Sequence, residues 1–129
     1  MNELIQKTET LLNSCKEVVL ATIDKNGYPR PCVVSVMKTN GLKEIYFATN
    51  LDSVKTTNIQ ANAKTGVCIW KEHDSTTITG TTEVITDQAV KSEIWQDWLV
   101  NHWPNGETDP NYCILKFTGE EAVLWVEQE

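Results

Sequence analysis

The chain has 129 residues, 40% of them hydrophobic and 22% charged, with a formal net charge of −7. That length fits one domain able to bury a core without disulfides or metals, and no apolar run nears the ~18 residues that read as a membrane span. The acidity argues against nucleic acid and anionic membranes as partners. With a single arginine, Arg30, every cation beside a candidate site carries weight.

Residues 3–15 predict an amphipathic helix, with Leu4, Ile5, Leu11, Leu12 and Cys15 at helical spacing. EVVLATID, residues 17–24, reads as a strand, and Asn26-Gly27 is the strongest hairpin signal in the chain. The next strand, PCVVSVMKT, puts Cys32, Val34 and Val36 on one face and Val33, Ser35 and Met37 on the other. A turn at Asn40-Gly41 leads to a third strand, residues 43–49. Residues 52–62 predict a short helix with Asp52 as its N-cap. Residues 64–70 and the Thr-rich 76–86 are the fourth and fifth strands. Residues 87–103 predict one helix, capped by Asp87, with Val90, Ile94 and Trp98 along one stripe. PNGETDP is a breaker-rich loop, and residues 111–128 close the chain as a strand interrupted near Gly119.

No repeat or linker divides residues 1–129, so a single domain is expected. Hairpin-joined strands with three short helices predict a mainly β fold, a six-stranded antiparallel barrel that curls to remove its edges. Strands that are apolar on both faces can also reflect a dimer interface. The N-terminal segment lacks the basic head and apolar stretch of a leader, which makes the cytoplasm the expected location.

The chemistry-bearing residues are few. Four cysteines are spread without a C-x-x-C pair, and only His73 and His102 stand beside them, so neither a disulfide framework nor a metal site is expected. No serine or cysteine pairs with a histidine, and no carboxylate pairing calls for acid–base work, so no catalytic residue is assigned. Trp95 and Trp98 read as core. The informative stretch is YFATNLDSVK. A helix N-terminus with unpaired N–H groups can seat a phosphate, with Thr49, Ser53 and Lys55 adding two hydroxyls and a charge. The competing reading is an ordinary cap beside a surface lysine.

Taken in order, ATIDKNGYPRPCVVSV, IYFATNLDSVKTTNIQANAKTGVCIW and WPNGETDPNYCILKFTGEEAVLW resemble the flavin-binding split-barrel superfamily of pyridoxamine 5′-phosphate oxidase. Within it the chain is most similar to the short general stress protein 26-like family. The resemblance implies a Greek-key split barrel and a homodimer with FMN in a groove at the interface, FAD or a deazaflavin being the alternatives. It implies that Arg30, Pro31, Cys32, Val33, Val34 and Ser35 run along the flavin ring, with Ala48 and Thr49 at the end of the third strand. It further implies that Ser53 and Lys55 hold the phosphate, and that Trp103 and Trp125 lie near a neighbouring chain's flavin. The implied activity is an FMN-dependent oxidoreductase using NADH or NADPH, the alternative being a non-catalytic flavin-binding stress or redox sensor. Two residues depart from the family pattern. Cys32 stands where pyridoxamine phosphate oxidase has a phosphate-binding arginine, and Val54 stands within the S-x-K. Vitamer oxidase activity is not expected, because a second phosphorylated ligand would need cations that this chain lacks.

Overall fold

The computed structural model describes residues 2–125, with side chains for all of these except 2–5, 8, 14, 124 and 125. In chain order the elements are α1 (Asn2–Ser14), β1 (Glu17–Ile23), β2 (Pro29–Asn40), β3 (Glu44–Asn50), α2 (Val54–Ala61), β4 (Lys64–Lys71), β5 (Asp74–Ile85), α3 (Gln88–Ile94) and β6 (Tyr112–Trp125). Two short 3-10 turns, Asp97–Asn101 and Gly106–Thr108, lie between α3 and β6. The strands pair antiparallel and close in the order β1-β2-β3-β6-β5-β4. The run β4-β1-β2-β3 within it is the Greek-key order. No helix among the described residues is long and apolar enough to cross a membrane.

The period-2 alternation fills the barrel. Val18, Leu20, Val34, Ile45, Phe47, Val67, Ile69, Ile78, Leu115 and Phe117 point inward and form one core. Leu11 and Leu12 of α1 join it at the end where β1 begins, and Cys15 there donates its thiol to the Trp70 carbonyl. Ile59 of α2 joins at the opposite end, where Asn58 donates to Thr22 late in β1. Leu4 and Ile5 of the predicted stripe have side chains outside the described set.

A second cluster lies on the outer face. Ile94, Leu99, Trp103, Tyr112 and Ile114 are buried there, with Met37, Tyr46 and Ala48 packed against them. The two-sided apolar character of β3 and β6 therefore comes from a helical cover within the same chain. That cover departs from the single helix expected over residues 87–103. Asp87 does cap it, accepting from the Ala89 N–H, but the helix stops at Ile94 and Trp95 is extended. The chain resumes as a 3-10 turn, which shifts the phase of the stripe. Leu99 is buried, while Trp98 is 45% exposed.

Three glycines set a turn and the register. Gly27 has φ +84° in the hairpin between β1 and β2, where Asp24 caps the turn by accepting from the N–H groups of Asn26 and Tyr28. β6 runs unbroken past Gly119, contrary to the expected interruption. What happens there is a register shift against β5, with Gly80 opposite Gly119 and Glu120 left without a partner. A Cβ on Gly80 would run into the Thr118 carbonyl.

Two outcomes test this account. Gly80→Ala is expected to cost about 1–3 kcal/mol through backbone overpacking, read from the urea midpoint; an unchanged midpoint would show that the bulge can yield freely. Asp24 is held below the usual carboxylate range, first by the Arg30 guanidinium and then by the Tyr28 N–H. A depressed carboxyl stabilises the fold above its unfolded pKa and loses that contribution as pH falls through the folded value. Asp24→Asn is therefore expected to melt below the wild type at pH 7, with the gap closing below about pH 4. A gap independent of pH would exclude the charge as its cause.

Candidate functional site

The end of β3 and the start of α2 build the site. Ser53, and not Asp52, is the N-cap of α2: it is extended, and its Oγ accepts from the Thr56 N–H. Asp52 and Ser53 are both good cap residues, and the Asn50 carbonyl decides between them by accepting from the Ser53 N–H at 3.1 Å. Thr56 Oγ1 also donates to the Asn50 carbonyl, at 2.9 Å, and lies 2.8 Å from Ser53 Oγ. Each hydroxyl has one proton, so the Ser53 proton goes to Thr56 Oγ1. Ser53 thus shapes the helix start and has no proton left for a ligand in this arrangement. The first-turn N–H groups of Val54 and Lys55 have no intrahelical acceptor.

Lys55 is half-buried, and its Nζ donates to Thr49 Oγ1 at 2.9 Å. It lines two clefts at once. The larger, about 630 Å³, has Thr22, Arg30, Pro31 and Cys32 on the barrel side and Val54, Thr57 and Asn58 from α2. The smaller, about 220 Å³, is walled by Val33, Ser35, Ala48 and Thr49 and closed by Trp98, His102 and Trp103. Ten of the twelve residues expected at a ligand line one cleft or the other. Ser53 lines neither, and Trp125 has a side chain outside the described set. Val34 borders the smaller cleft but has its side chain in the barrel core, so the pleat turns Val33 and Ser35 outward instead.

The electrostatics differ from what the sequence implied. Arg30 lines the larger cleft, not the smaller, and its Nε–H donates to Asp24 Oδ2 at 2.8 Å. Half-burial raises the Cys32 thiol above its usual range against the nearby Lys55 charge, so Cys32 is neutral at pH 7. Its Sγ–H donates to the Leu20 carbonyl. Burial likewise pushes Cys113 up to about 11. Trp103 is only 6% exposed, and its Nε1–H donates to Asn50 Oδ1 at 2.8 Å while its ring packs on Tyr112.

Sequence reasoning missed several lining residues. Lys25 and Asn26 come from the hairpin, and Asn58 and Thr57 from the second turn of α2. Trp98, which reads as core, and His102 meet edge to face at 6.0 Å in the wall of the smaller cleft. No local signal marks them, because the breaker-free run through Trp95-Gln96 hides the phase change that exposes them. Among the described residues no group of three His, Cys, Asp or Glu side chains is arranged to hold a metal.

The donor set fits a phosphorylated flat-ring ligand. Lys55 and two helix N–H groups suit an anion, and the smaller cleft offers aromatic walls with Ser35 and Thr49 hydroxyls. Comparison with known proteins agrees in fold. A structure from Clostridium acetobutylicum, described as related to general stress protein 26 of the pyridoxinephosphate oxidase family, superposes with a TM-score of 0.90. It is 27% identical over 97% of this chain and 89% of that one. General stress protein 26 of Bacillus anthracis gives 0.81 at 23% identity, covering 95% of this chain and 93% of that one. The general stress FMN/FAD binding protein of Xanthomonas citri gives 0.80 at 22%, covering 100% and 92%. Among curated proteins no relative matches. The family model for pyridoxamine 5′-phosphate oxidase like proteins matches residues 3–129, so the chain belongs to that family.

Proposed function

We propose that this chain binds a flavin phosphate across the two clefts and works as a flavin-dependent oxidoreductase. The observation that carries the reading is Lys55, a half-buried ammonium tethered to Thr49 and shared by both clefts. Support comes from the family and from the flavin named for the Xanthomonas citri neighbour. In this reading the ring occupies the smaller cleft, against Ala48 and the Trp98–His102–Trp103 wall, and FMN's phosphate meets Lys55. When bound, a flavin would supply hydride chemistry between a reduced nicotinamide and a separate electron acceptor. The protein seats the ring, shields it with aromatics and neutralises the phosphate. Val33 and Trp98, at 60% and 45% exposure, form an apolar rim of the smaller cleft that a second copy of the chain covers in the proposed homodimer. Arg30, engaged by Asp24, is a poor grip for a second phosphorylated substrate, in line with the absence of vitamer oxidase activity from this proposal.

The test is a fluorescence titration of the purified protein with FMN, with riboflavin beside it. A charge-assisted contact of about 1.5–3 kcal/mol predicts FMN binding ~10–100-fold tighter than riboflavin. Lys55→Ala is expected to remove that difference and leave riboflavin unchanged. Equal binding of both ligands, or none, would falsify the seat. Saturable reduction of the bound flavin by NADH or NADPH marks an enzyme; tight binding without it marks a sensor or carrier.

A further inference from the structure

The smaller cleft runs against the charge of the chain. Acidic residues outnumber basic ones 18 to 11 overall, yet no carboxylate lines this cleft. Its β2 and β3 walls are uncharged, and α2 contributes the single cation Lys55. On the remaining wall Trp98, Leu99 and Trp103 carry no charge. His102 is therefore the one lining group of a type that ordinarily changes charge between about pH 5 and 8.

That wall also restricts which ring can address a ligand. The Trp98 Nε1–H donates to Gln96 Oε1 at 2.7 Å, and the Trp103 Nε1–H donates to Asn50 Oδ1 at 2.8 Å. Both indole donors are spent. Among the described residues the exposed His102 imidazole makes ring contacts only, edge to face with Trp98 and tilted on Trp103 at 5.8 Å. Its part in the fold is carried by the backbone, whose N–H donates to the Leu99 carbonyl at the end of the 3-10 turn. The two ring contacts orient the imidazole and leave its nitrogens for a ligand or a proton.

The charge that such a wall meets depends on the redox state of its ligand. A hydride carries two electrons and one proton, so its transfer from a reduced nicotinamide turns a neutral flavin ring into an anion and releases the oxidised nicotinamide. In the proposed complex Lys55 is engaged by the phosphate, and the other walls offer only hydroxyls and rings. We propose that His102 is the charge-balancing residue of this cleft: its imidazole takes up one proton from solvent as the ring gains its negative charge, so the protein favours the reduced ring over the oxidised one. The inference rests on the flavin reading above and adds the side chain that sets its redox preference. A neighbouring anion favours the imidazolium, so the preference is full below the usual imidazole range and is lost as pH rises through it.

The experiment is a spectroelectrochemical titration of FMN bound to the full chain, wild type and His102→Gln, at about pH 6 and about pH 9. Oxidised FMN is expected to bind both proteins within about twofold, because its ring is neutral and the exposed imidazole is screened from the phosphate. At about pH 6 the wild-type midpoint potential should lie ~30 mV above that of His102→Gln, a tenfold preference for the reduced form in a two-electron couple. At about pH 9 the two should coincide, which a merely structural role for His102 does not produce. Equal potentials at the lower pH, a gap that persists at the higher one, or loss of oxidised FMN from His102→Gln overturns this inference and leaves the flavin seat standing. Failure of the wild type to bind FMN overturns the seat itself, and this inference with it.

Discussion

Asn50 holds the site together. Its carbonyl receives both the Ser53 N–H and the Thr56 hydroxyl, and its side-chain oxygen receives the Trp103 indole. One residue thereby fixes the end of β3, the start of α2 and the position of the segment carrying Trp98, His102 and Trp103. The two clefts share Lys55 because α2 begins where it does, and it begins there because Asn50 supplies the acceptor. A net hydrogen bond contributes only about 1 kcal/mol, so the importance of these three is geometric more than energetic.

That geometry needs a rigid base, which β3 and β6 supply by being buried on both faces. Phe47, Leu115 and Phe117 fill the barrel, while Ala48, Tyr112 and Ile114 support the outer cover. Burial of such side chains contributes about 1.5–3 kcal/mol each, so together they far outweigh any single contact at the clefts. Lys91 reinforces the cover. It is buried, donates to the Asp109 carbonyl and lies over the Tyr112 ring, and Tyr112 in turn donates to the Lys91 carbonyl. The site is thus carried by strands that cannot shift without exposing two cores.

Most of this architecture was legible in the sequence because it is written in local chemistry. Alternation gave the six strands, and Gly27 and Gly41 marked turns that they do occupy with positive φ. Lys55 was legible because a strand end followed by a helix start is itself a local pattern. What was hidden depends on distance. Asp52 and Ser53 are equally good caps until the Asn50 carbonyl chooses. The end of α3 at Ile94 leaves no trace in a run free of breakers, so Trp98 reads as core and Leu99 does not. Arg30 reads as a free cation until the hairpin turns Asp24 back onto it. Lys25 and His102 reach the clefts from separate elements brought together only by closure of the barrel.

The bulge at Gly80 and Gly119 bears on how the chain finds this fold. A one-residue slip in strand pairing usually exposes apolar side chains, and that penalty selects the register. Along Cys113–Leu115 of β6 it is missing, since consecutive residues are all buried and either face is apolar. Beyond Leu115 the alternation returns, and a slip would turn Lys116 and Thr118 toward the core in place of Leu115 and Phe117. The close approach of Gly80 to the Thr118 carbonyl adds a second constraint on the register, because that point has no room for a Cβ. The closing strand is also the last to be made and pairs with two partners distant in sequence, the slow kind of contact. In this chain the slowest contact to form is therefore held in register twice over, by the alternation around Lys116 and by the two glycines of the bulge.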